Sequence, residues 1–186
     1  MQDEKTVIEN KIFSGRVIEV FDDTVELCNG KTAGREYVNH TGGVCVVAVN
    51  KDNEIYYVRQ FRYPYREEVL EIPAGKLEKG EDPMSAGIRE LSEEAGLKTA
   101  NLESLGVFYP SPGYTNEKIY MYLATDFSEC EQNLDEDEFL TAEKMPLPAF
   151  VDLIVSGEIK DGKTIAAVLK AKELLGERKL KWNSKK

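Results

Sequence analysis

The feature that most constrains this chain is the 23-residue segment GKLEKGEDPMSAGIRELSEEAGL, which spans positions 75–97. Most of it predicts an α-helix with well-marked ends. Asp82 is a favoured N-cap residue, and Pro83 is tolerated in the first turn because its missing N–H needs no partner there. Gly96 is of a type that commonly ends a helix. We therefore expect a helix from Pro83 to Ala95, entered through a loop that begins with glycine.

The expected helix carries three glutamates that project from one side. Glu90, Glu93 and Glu94 have the three- and four-residue spacing that places side chains on the same side of a helix. Crowded carboxylates repel each other, and hard cations such as Mg²⁺ relieve that repulsion by binding among their oxygens. An apolar stripe suited to packing on a sheet lies opposite: Met84, Ile88, Leu91 and Ala95. Taken alone, the glutamates are more typical of a solvated surface helix, because such runs are common.

The loop before the helix changes that balance, because loop and helix together match a known pattern. The pattern has nine specified positions, namely Gly75, Glu81, Arg89-Glu90-Leu91, Glu93-Glu94 and Gly96-Leu97. At each of them the segment resembles the signature of the Nudix hydrolase superfamily, which is far more specific than a lone glycine motif. The resemblance implies an α/β (α+β) fold, an αβα sandwich with a mixed β-sheet, to which this chain adds an N-terminal antiparallel β-element.

The same resemblance implies a divalent-metal site on the helix. Glu90 and Glu94 would be the principal ligands, and Glu93 a further ligand or a hydrogen-bonding neighbour. The Ala74 carbonyl would add a backbone ligand. Mg²⁺ is the expected ion, with Mn²⁺ as the alternative, at two or three ions per site.

Four other positions of the motif are expected to be structural. Gly75 and Gly96 would allow the loop and the helix end to form, while Glu81 and Arg89 would hold the loop in shape. A phosphate contact is the alternative for Arg89, although a charge pair within the motif is the role that the resemblance favours.

Apolar runs and turn residues elsewhere predict a mixed α/β domain with a β-rich N-terminus. Residues 5–29 are typical of two or three strands of an antiparallel meander, and residues 44–49 of a central strand buried on both faces. Further strands are expected at 55–63, 69–73, 105–109 and 119–124, and helices near 146–156 and 163–176. The expected division is an N-terminal β-element at 1–41, a Nudix domain at 42–180 and a basic, mobile tail at 181–186.

At 186 residues with a net charge of −10, the chain is long enough for one main core and is a poor candidate for binding nucleic acid. An acidic protein that binds a small anion needs cations in between, which agrees with a metal site. The three cysteines are scattered and lack zinc-site spacing, so we expect reduced thiols in the cytoplasm. No targeting segment or membrane span is expected.

Residues around the motif resemble one branch of the superfamily, the ADP-ribose pyrophosphatases. The resemblance lies in the segments 58–62, 70–75 and 109–113, and in a proline sixteen residues past Gly96, here Pro112. It implies hydrolysis of the diphosphate of ADP-ribose to AMP and ribose 5-phosphate. It also implies a homodimer in which the N-terminal β-element is exchanged between subunits and the active site is shared.

The branch resemblance also implies substrate contacts. Arg62 would bind the diphosphate and Glu71 would line the pocket, while Arg35 and Glu36 would come from the partner subunit. Pro112 and Gly113 would belong to a substrate-binding loop. Read as ordinary structure, the arginines and Glu36 are surface charges. Four aromatic residues are available to stack on adenine, although core packing is the commoner role for each: Phe13, Phe21, Tyr37 and Tyr109.

An acidic stretch at 134–139 is the second candidate for chemistry. By itself it is typical of a solvated loop, but the resembled branch carries its general base on a mobile loop at about this place. Glu136 and Glu138 are both candidates, and the sequence does not separate them. The base would take a proton from a water that attacks phosphorus.

Other functions remain open at this stage. The first alternative is hydrolysis of another nucleoside-diphosphate sugar, such as GDP-mannose. Sanitising an oxidised nucleoside triphosphate is less favoured, because the chain has more N-terminal sequence than that activity needs. A non-catalytic ADP-ribose sensor would be expected to lose carboxylates that are all present here. An acidic interaction module would require the 23-residue match to be accidental.

Overall fold

A computed structural model describes residues 3–134 and 138–183, with side chains described as far as Arg178. The chain divides into two compact units. The first combines the residues up to Gly42 with Tyr109–Lys118, and the second combines Gly43–Phe108 with the residues from Ile119 onward.

The first unit contains a four-stranded antiparallel sheet. Its strands are β1 (Lys5–Ile8), β2 (Lys11–Ser14), β3 (Ile18–Glu26) and β4 (Thr32–His40). Strands β1 and β2 pair with successive parts of the same edge of β3, and β4 pairs with the other edge. Between them the Asn10 N–H donates to the Asp23 carboxylate at 2.9 Å. The antiparallel strands predicted within residues 5–29 are therefore confirmed, but the predicted meander is wrong for the first of them, because β1 pairs with β3 rather than with the next strand, β2.

The second unit is built around a seven-stranded mixed sheet. The elements of this unit are β5 (Gly43–Val49), β6 (Glu54–Arg62), β7 (Glu67–Glu71), β8 (Ala74–Lys76), α1 (Pro83–Ala95), β9 (Leu97–Lys98), β10 (Glu103–Phe108), β11 (Ile119–Ala124), β12 (Ser128–Glu129), β13 (Leu140–Pro146), α2 (Leu147–Ser156) and α3 (Gly162–Asn183). The sheet has the order β10-β11-β5-β6-β13, with β7 paired to β6 and β8 to β5. Strand β5 runs parallel to β11, and the other pairs are antiparallel. Strands β9 and β12 form a separate pair.

Strand β5 is buried along its whole length, as its run of β-branched residues predicts. Because successive side chains of a strand point to opposite faces, the strand contributes to two apolar cores. One core includes Cys45 and Val47 together with residues of α2 and α3. The other includes Val44 and Val46 together with residues of α1. Helices thus cover both faces of the sheet, and the expected αβα sandwich is confirmed.

The helices agree with the sequence prediction except at the C-terminus. Helix α1 has the predicted bounds, whereas α3 continues past 176 to Asn183 and includes part of the expected tail. Gly176 does not end it, because one glycine costs a helix only about 1 kcal/mol. A cost of that size does not by itself stop a helix, and beyond Gly176 the Arg178 guanidinium still donates to Glu103 of β10. Within the described residues, no helix is long and apolar enough to cross a membrane.

Candidate active site

Helix α1 is held at both ends by the residues that the sequence singles out. The Asp82 carboxylate accepts a hydrogen bond from the Ser85 N–H at 2.9 Å. Gly96 ends the helix in the left-handed region at φ 62°, where a side chain would be strained. A Cβ on Gly96 would also lie 2.7 Å from the Cys130 carbonyl oxygen. Both ends of the helix that carries the carboxylates are therefore fixed.

Glu94 points into the protein and is only 2% exposed. Its Oε2 accepts a hydrogen bond from the Ala74 N–H at 2.8 Å, which joins the helix to the start of β8. Burial raises the pKa of Glu94 to about 8, because the hydrogen bond from Ala74 and the charge of Arg62 only partly offset the loss of water. The site therefore contains a buried carboxylate that is short of positive charge.

Glu90 lies one turn earlier and is 7% exposed. Its carboxylate packs directly against the backbone of Gly75, so that a Cβ at position 75 would overlap it. This contact explains why the loop needs glycine there. Burial raises the pKa of Glu90 and the charge of Arg89 partly offsets the rise.

Arg89 connects the loop to the helix. Its Nε and Nη2 donate to the two carboxylate oxygens of Glu81 at 3.0 and 3.1 Å, and its Nη1 donates to Glu90 and Glu93, both at 2.8 Å. Glu81 also accepts a hydrogen bond from the Glu78 N–H at 3.0 Å. Through these contacts Arg89 joins Glu81 of the loop to Glu90 and Glu93 of the helix.

The two candidates for the general base differ in what can be said of them. Glu138 is half-buried, and its negative charge adds to the effect of burial in raising the pKa of both Glu90 and Glu94. It therefore lies near the carboxylates of α1. Glu136 lies outside the described residues.

Arg62 and Glu71 form a second charged cluster, beside Glu94. The Arg62 Nε and Nη2 donate to Glu71 at 2.5 and 2.6 Å. Glu71, 2% exposed, also accepts from the Lys163 ammonium, which in turn lies 3.0 Å from Asp161. Burial would raise the pKa of Glu71, but Arg62 and Lys163 outweigh it and lower that pKa. The charge of Arg62 also acts on Glu94, so the two clusters are close.

Lys163 and Asp161 are not among the site residues predicted from the sequence. The only local signal was the Asp161-Gly162-Lys163-Thr164 start of a helix, where Asp161 caps the Thr164 N–H at 3.0 Å. Nothing in that pattern indicates that Lys163 pairs with a residue 92 positions earlier.

The remaining predicted substrate residues belong to the first unit. Arg35 on β4 donates from Nε to Glu4 at 2.8 Å, and Glu36 beside it is exposed. Pro112 and Gly113 lie in an exposed loop. The segment after that loop is fastened to β4, since the Val38 N–H donates to the Tyr114 carbonyl at 2.8 Å.

The aromatic candidates separate into two groups. Phe21 and Tyr37 stack on each other with ring centroids 4.9 Å apart, so one face of each ring is already engaged. Phe13 and Tyr109 are 53% and 57% exposed. These two have surface available for another ring.

The donor set on α1 suits a hard divalent cation. Glu90, Glu93 and Glu94 offer carboxylate oxygens, the ligand type that Mg²⁺ prefers, and the uncompensated burial of Glu94 calls for positive charge. Arg89 donates to the carboxylates of Glu90 and Glu93 in this conformation. Over residues 3–134 and 138–183, no three acidic, histidine or cysteine side chains converge closely enough to enclose an ion without rearrangement.

Comparison with known proteins agrees with the fold and the glutamate-bearing helix. The family model described as NUDIX domain matches residues 39–169. An ADP-ribose pyrophosphatase of Bacillus subtilis (strain 168) is 43% identical over 181 residues, which cover 95% of this chain and 98% of that protein. A methanol dehydrogenase activator of Bacillus methanolicus is 45% identical over 168 residues, which cover 89% of this chain and 91% of that protein.

A solved structure described as that of an ADP compounds hydrolase superposes with a TM-score of 0.83, covering 96% of this chain and 97% of that one at 23% identity. The αβα fold with a signature helix of buried glutamates defines a class of pyrophosphohydrolases. The chain belongs to the Nudix domain family. Nudix hydrolases generally need divalent metal ions.

Proposed function

We propose that this protein hydrolyses the diphosphate linkage of ADP-ribose to give AMP and ribose 5-phosphate. The observation that carries the proposal is the buried pair Glu90 and Glu94 beside the Arg62–Glu71 cluster, which offers sites for cations and for a phosphate next to each other. The 43% identity to a bacterial ADP-ribose pyrophosphatase supports the choice of substrate.

Residues of α1 and the first residue of β8 would hold the metal. Glu90, Glu94 and the Ala74 carbonyl are the proposed ligands, with Glu93 as a further ligand, for two or three Mg²⁺ or Mn²⁺ ions. When bound, such ions offset the charge of a diphosphate and acidify water. Arg62 binds the diphosphate through the edge of its guanidinium that faces away from Glu71, while Arg89 and Glu81 keep the loop against the helix.

A loop glutamate takes the proton from the attacking water. Glu138 is our first candidate, because its charge acts on both Glu90 and Glu94 and so it lies within the same site. Glu136 remains the second. Loss of a general base typically lowers turnover about 10²- to 10⁴-fold. Glu138→Gln and Glu136→Gln, compared for kcat, identify which of the two acts.

We further propose a homodimer in which the N-terminal β-element is exchanged and contributes Arg35 and Glu36 to the partner's site. The apolar side chains of β1 and β2 support this proposal, because Val7, Ile8, Ile12 and Phe13 are 53–58% exposed. A monomer rarely leaves a large contiguous apolar patch uncovered, and a partner subunit would cover these side chains. Sedimentation velocity would test it, and a monomer at micromolar concentration would contradict it. The scattered, free cysteines support a location in the cytoplasm.

The deciding experiment measures nucleoside monophosphate release from ADP-ribose, GDP-mannose and a nucleoside triphosphate, with Mg²⁺ or with EDTA. Metal-dependent AMP release that favours ADP-ribose is the expected result. A preference for GDP-mannose would replace the substrate but keep the chemistry. Tight ADP-ribose binding without turnover of any of the three would indicate a sensor instead.

A second candidate function comes from the 45% identical methanol dehydrogenase activator. Adding the protein and Mg²⁺ to a methanol dehydrogenase assay tests this function. The Glu94→Gln variant in the same assay shows whether any activation needs the hydrolytic site.

A further inference from the structure

The buried cluster behind Arg62 contains a lysine that no part of the proposed chemistry uses. The Lys163 side chain is 13% exposed and lies near the first turn of α3. Burying an ammonium ion is unfavourable unless charged partners compensate, and here Glu71 and Asp161 both do so. The Lys163 ammonium is therefore held between the two carboxylates of Glu71 and Asp161.

The start of α3 is also fixed against strand β7. The Ile72 N–H donates to the Thr164 hydroxyl at 3.0 Å, and that hydroxyl donates to Asp161 at 2.5 Å. Thr164 follows Lys163, and Ile72 follows Glu71. The backbone contact thus sets the register in which the Lys163 ammonium meets the Glu71 carboxylate.

Glu71 in turn determines how Arg62 is presented. It occupies Nε and Nη2 of the guanidinium, and among the described residues no acceptor engages Nη1. A guanidinium held by two parallel hydrogen bonds has lost most of its freedom before a ligand arrives. Nη1 is then available to a phosphate oxygen at little further entropic cost.

We propose that Lys163 is a positioning residue for diphosphate binding: it fixes the Glu71 carboxylate so that Arg62 presents Nη1 to the substrate. This inference rests on the proposed function, because it takes Arg62 to be the diphosphate ligand. The sequence of contacts is Lys163 to Glu71 to Arg62 to phosphate, and Lys163 itself does not touch the substrate.

The test compares Lys163→Met with Lys160→Met by steady-state kinetics. Met keeps the unbranched chain and removes the charge. KM is expected to rise about tenfold or more, as for other residues that orient a ligand-binding group, while kcat changes less than about threefold. The Mg²⁺ concentration for half-maximal rate should stay within about twofold. Lys160, 64% exposed and paired with Glu67 at 3.0 Å, is the matched control and should change neither constant.

A double variant distinguishes positioning from a general loss of structure. If Lys163 acts through Arg62, adding Lys163→Met to Arg62→Lys should raise KM little beyond Arg62→Lys alone, because coupled residues are not additive. Additive effects, an unchanged KM, or a shifted Mg²⁺ requirement would each overturn the proposal. Should Lys163→Met fail to fold, Glu71→Asp breaks the same sequence of contacts and should show the same selective rise in KM.

The wild-type rates separate this inference from the proposed function. The variants are compared on whichever nucleoside-diphosphate sugar the wild type hydrolyses, since the diphosphate is common to them. Absence of hydrolysis with every substrate would refute the proposed function and the inference with it, whereas wild-type hydrolysis with an unaffected Lys163→Met variant would refute the inference alone.

Discussion

Two glutamates in this protein are equally buried and have opposite electrostatic surroundings. Glu71 and Glu94 are each 2% exposed. Burial would raise the pKa of Glu71, but hydrogen bonds and charge from Arg62 and Lys163 more than offset it and lower the pKa. At Glu94 burial dominates, the Ala74 N–H compensates only in part, and the pKa rises to about 8.

The difference shows which cluster the chain completes by itself. Around Glu71 the sequence supplies both signs of charge, so the cluster is a finished structural unit that can hold Arg62 in place. Around Glu94 it supplies carboxylates and leaves the charge uncompensated, which is what a site for a divalent cation requires. The same substitution, Glu to Gln, should therefore have different consequences at the two positions.

The largest expected effect is on activity at Glu94. Glu94→Gln should lower kcat/KM for ADP-ribose by about a thousandfold, or about 4 kcal/mol, because a proposed metal ligand is lost while the acceptor for the Ala74 N–H remains. Steady-state kinetics over a range of Mg²⁺ concentrations measures it. Glu173→Gln, on the exposed side of α3, is the control. Wild-type activity in Glu94→Gln would contradict a metal site on this helix.

The next effect is on stability at Glu71. Glu71→Gln should lower the free energy of unfolding by about 3 kcal/mol at pH 7, because Lys163 and Arg62 then share too little negative charge in a buried site. Urea denaturation of the metal-free protein measures it. The exposed Glu68, 3.8 Å from Arg59, is the control, and Glu68→Gln should change stability by less than about 1 kcal/mol. An unchanged free energy of unfolding in Glu71→Gln would mean that Arg62 and Lys163 do not depend on the Glu71 charge.

The sequence predicts one of these clusters far better than the other. The bounds of α1, its caps and the side on which Glu90 and Glu94 lie all follow from local spacing, since a helix places residues by their separation along the chain. The two-sided burial of β5 follows in the same way from its unbroken apolar run.

The branch resemblance pointed to Arg62 and Glu71, but the lysine that completes the Glu71 cluster could not be found from local spacing. Lys163 reaches Glu71 from a helix 92 positions away, so the contact depends on how α3 docks on the sheet rather than on any local pattern. The sequence also underestimates the length of α3, because one glycine costs a helix little and Arg178, beyond Gly176, pairs with Glu103 of β10. Tertiary contacts decide both features, and a local pattern carries no information about them.

The smallest of the expected effects is on stability at Glu94, where Glu94→Gln should raise the free energy of unfolding rather than lower it. Because the pKa of Glu94 rises from 4.5 to about 8 on folding, the folded protein keeps a proton that the unfolded chain releases. Its contribution to stability is present below about pH 4.5 and is lost as the pH rises toward 8.

Glu94→Gln cannot ionise, so it should be more stable than the wild type by roughly 2 kcal/mol at pH 8 in EDTA. This figure is smaller than the full pKa shift would give, because the site relaxes around the charge. Urea midpoints from pH 5 to 8.5 measure the difference. Mg²⁺ should restore the wild type and leave the variant unchanged, since only the wild type binds it well. Parallel curves for the two proteins would show that Glu94 is compensated as fully as Glu71.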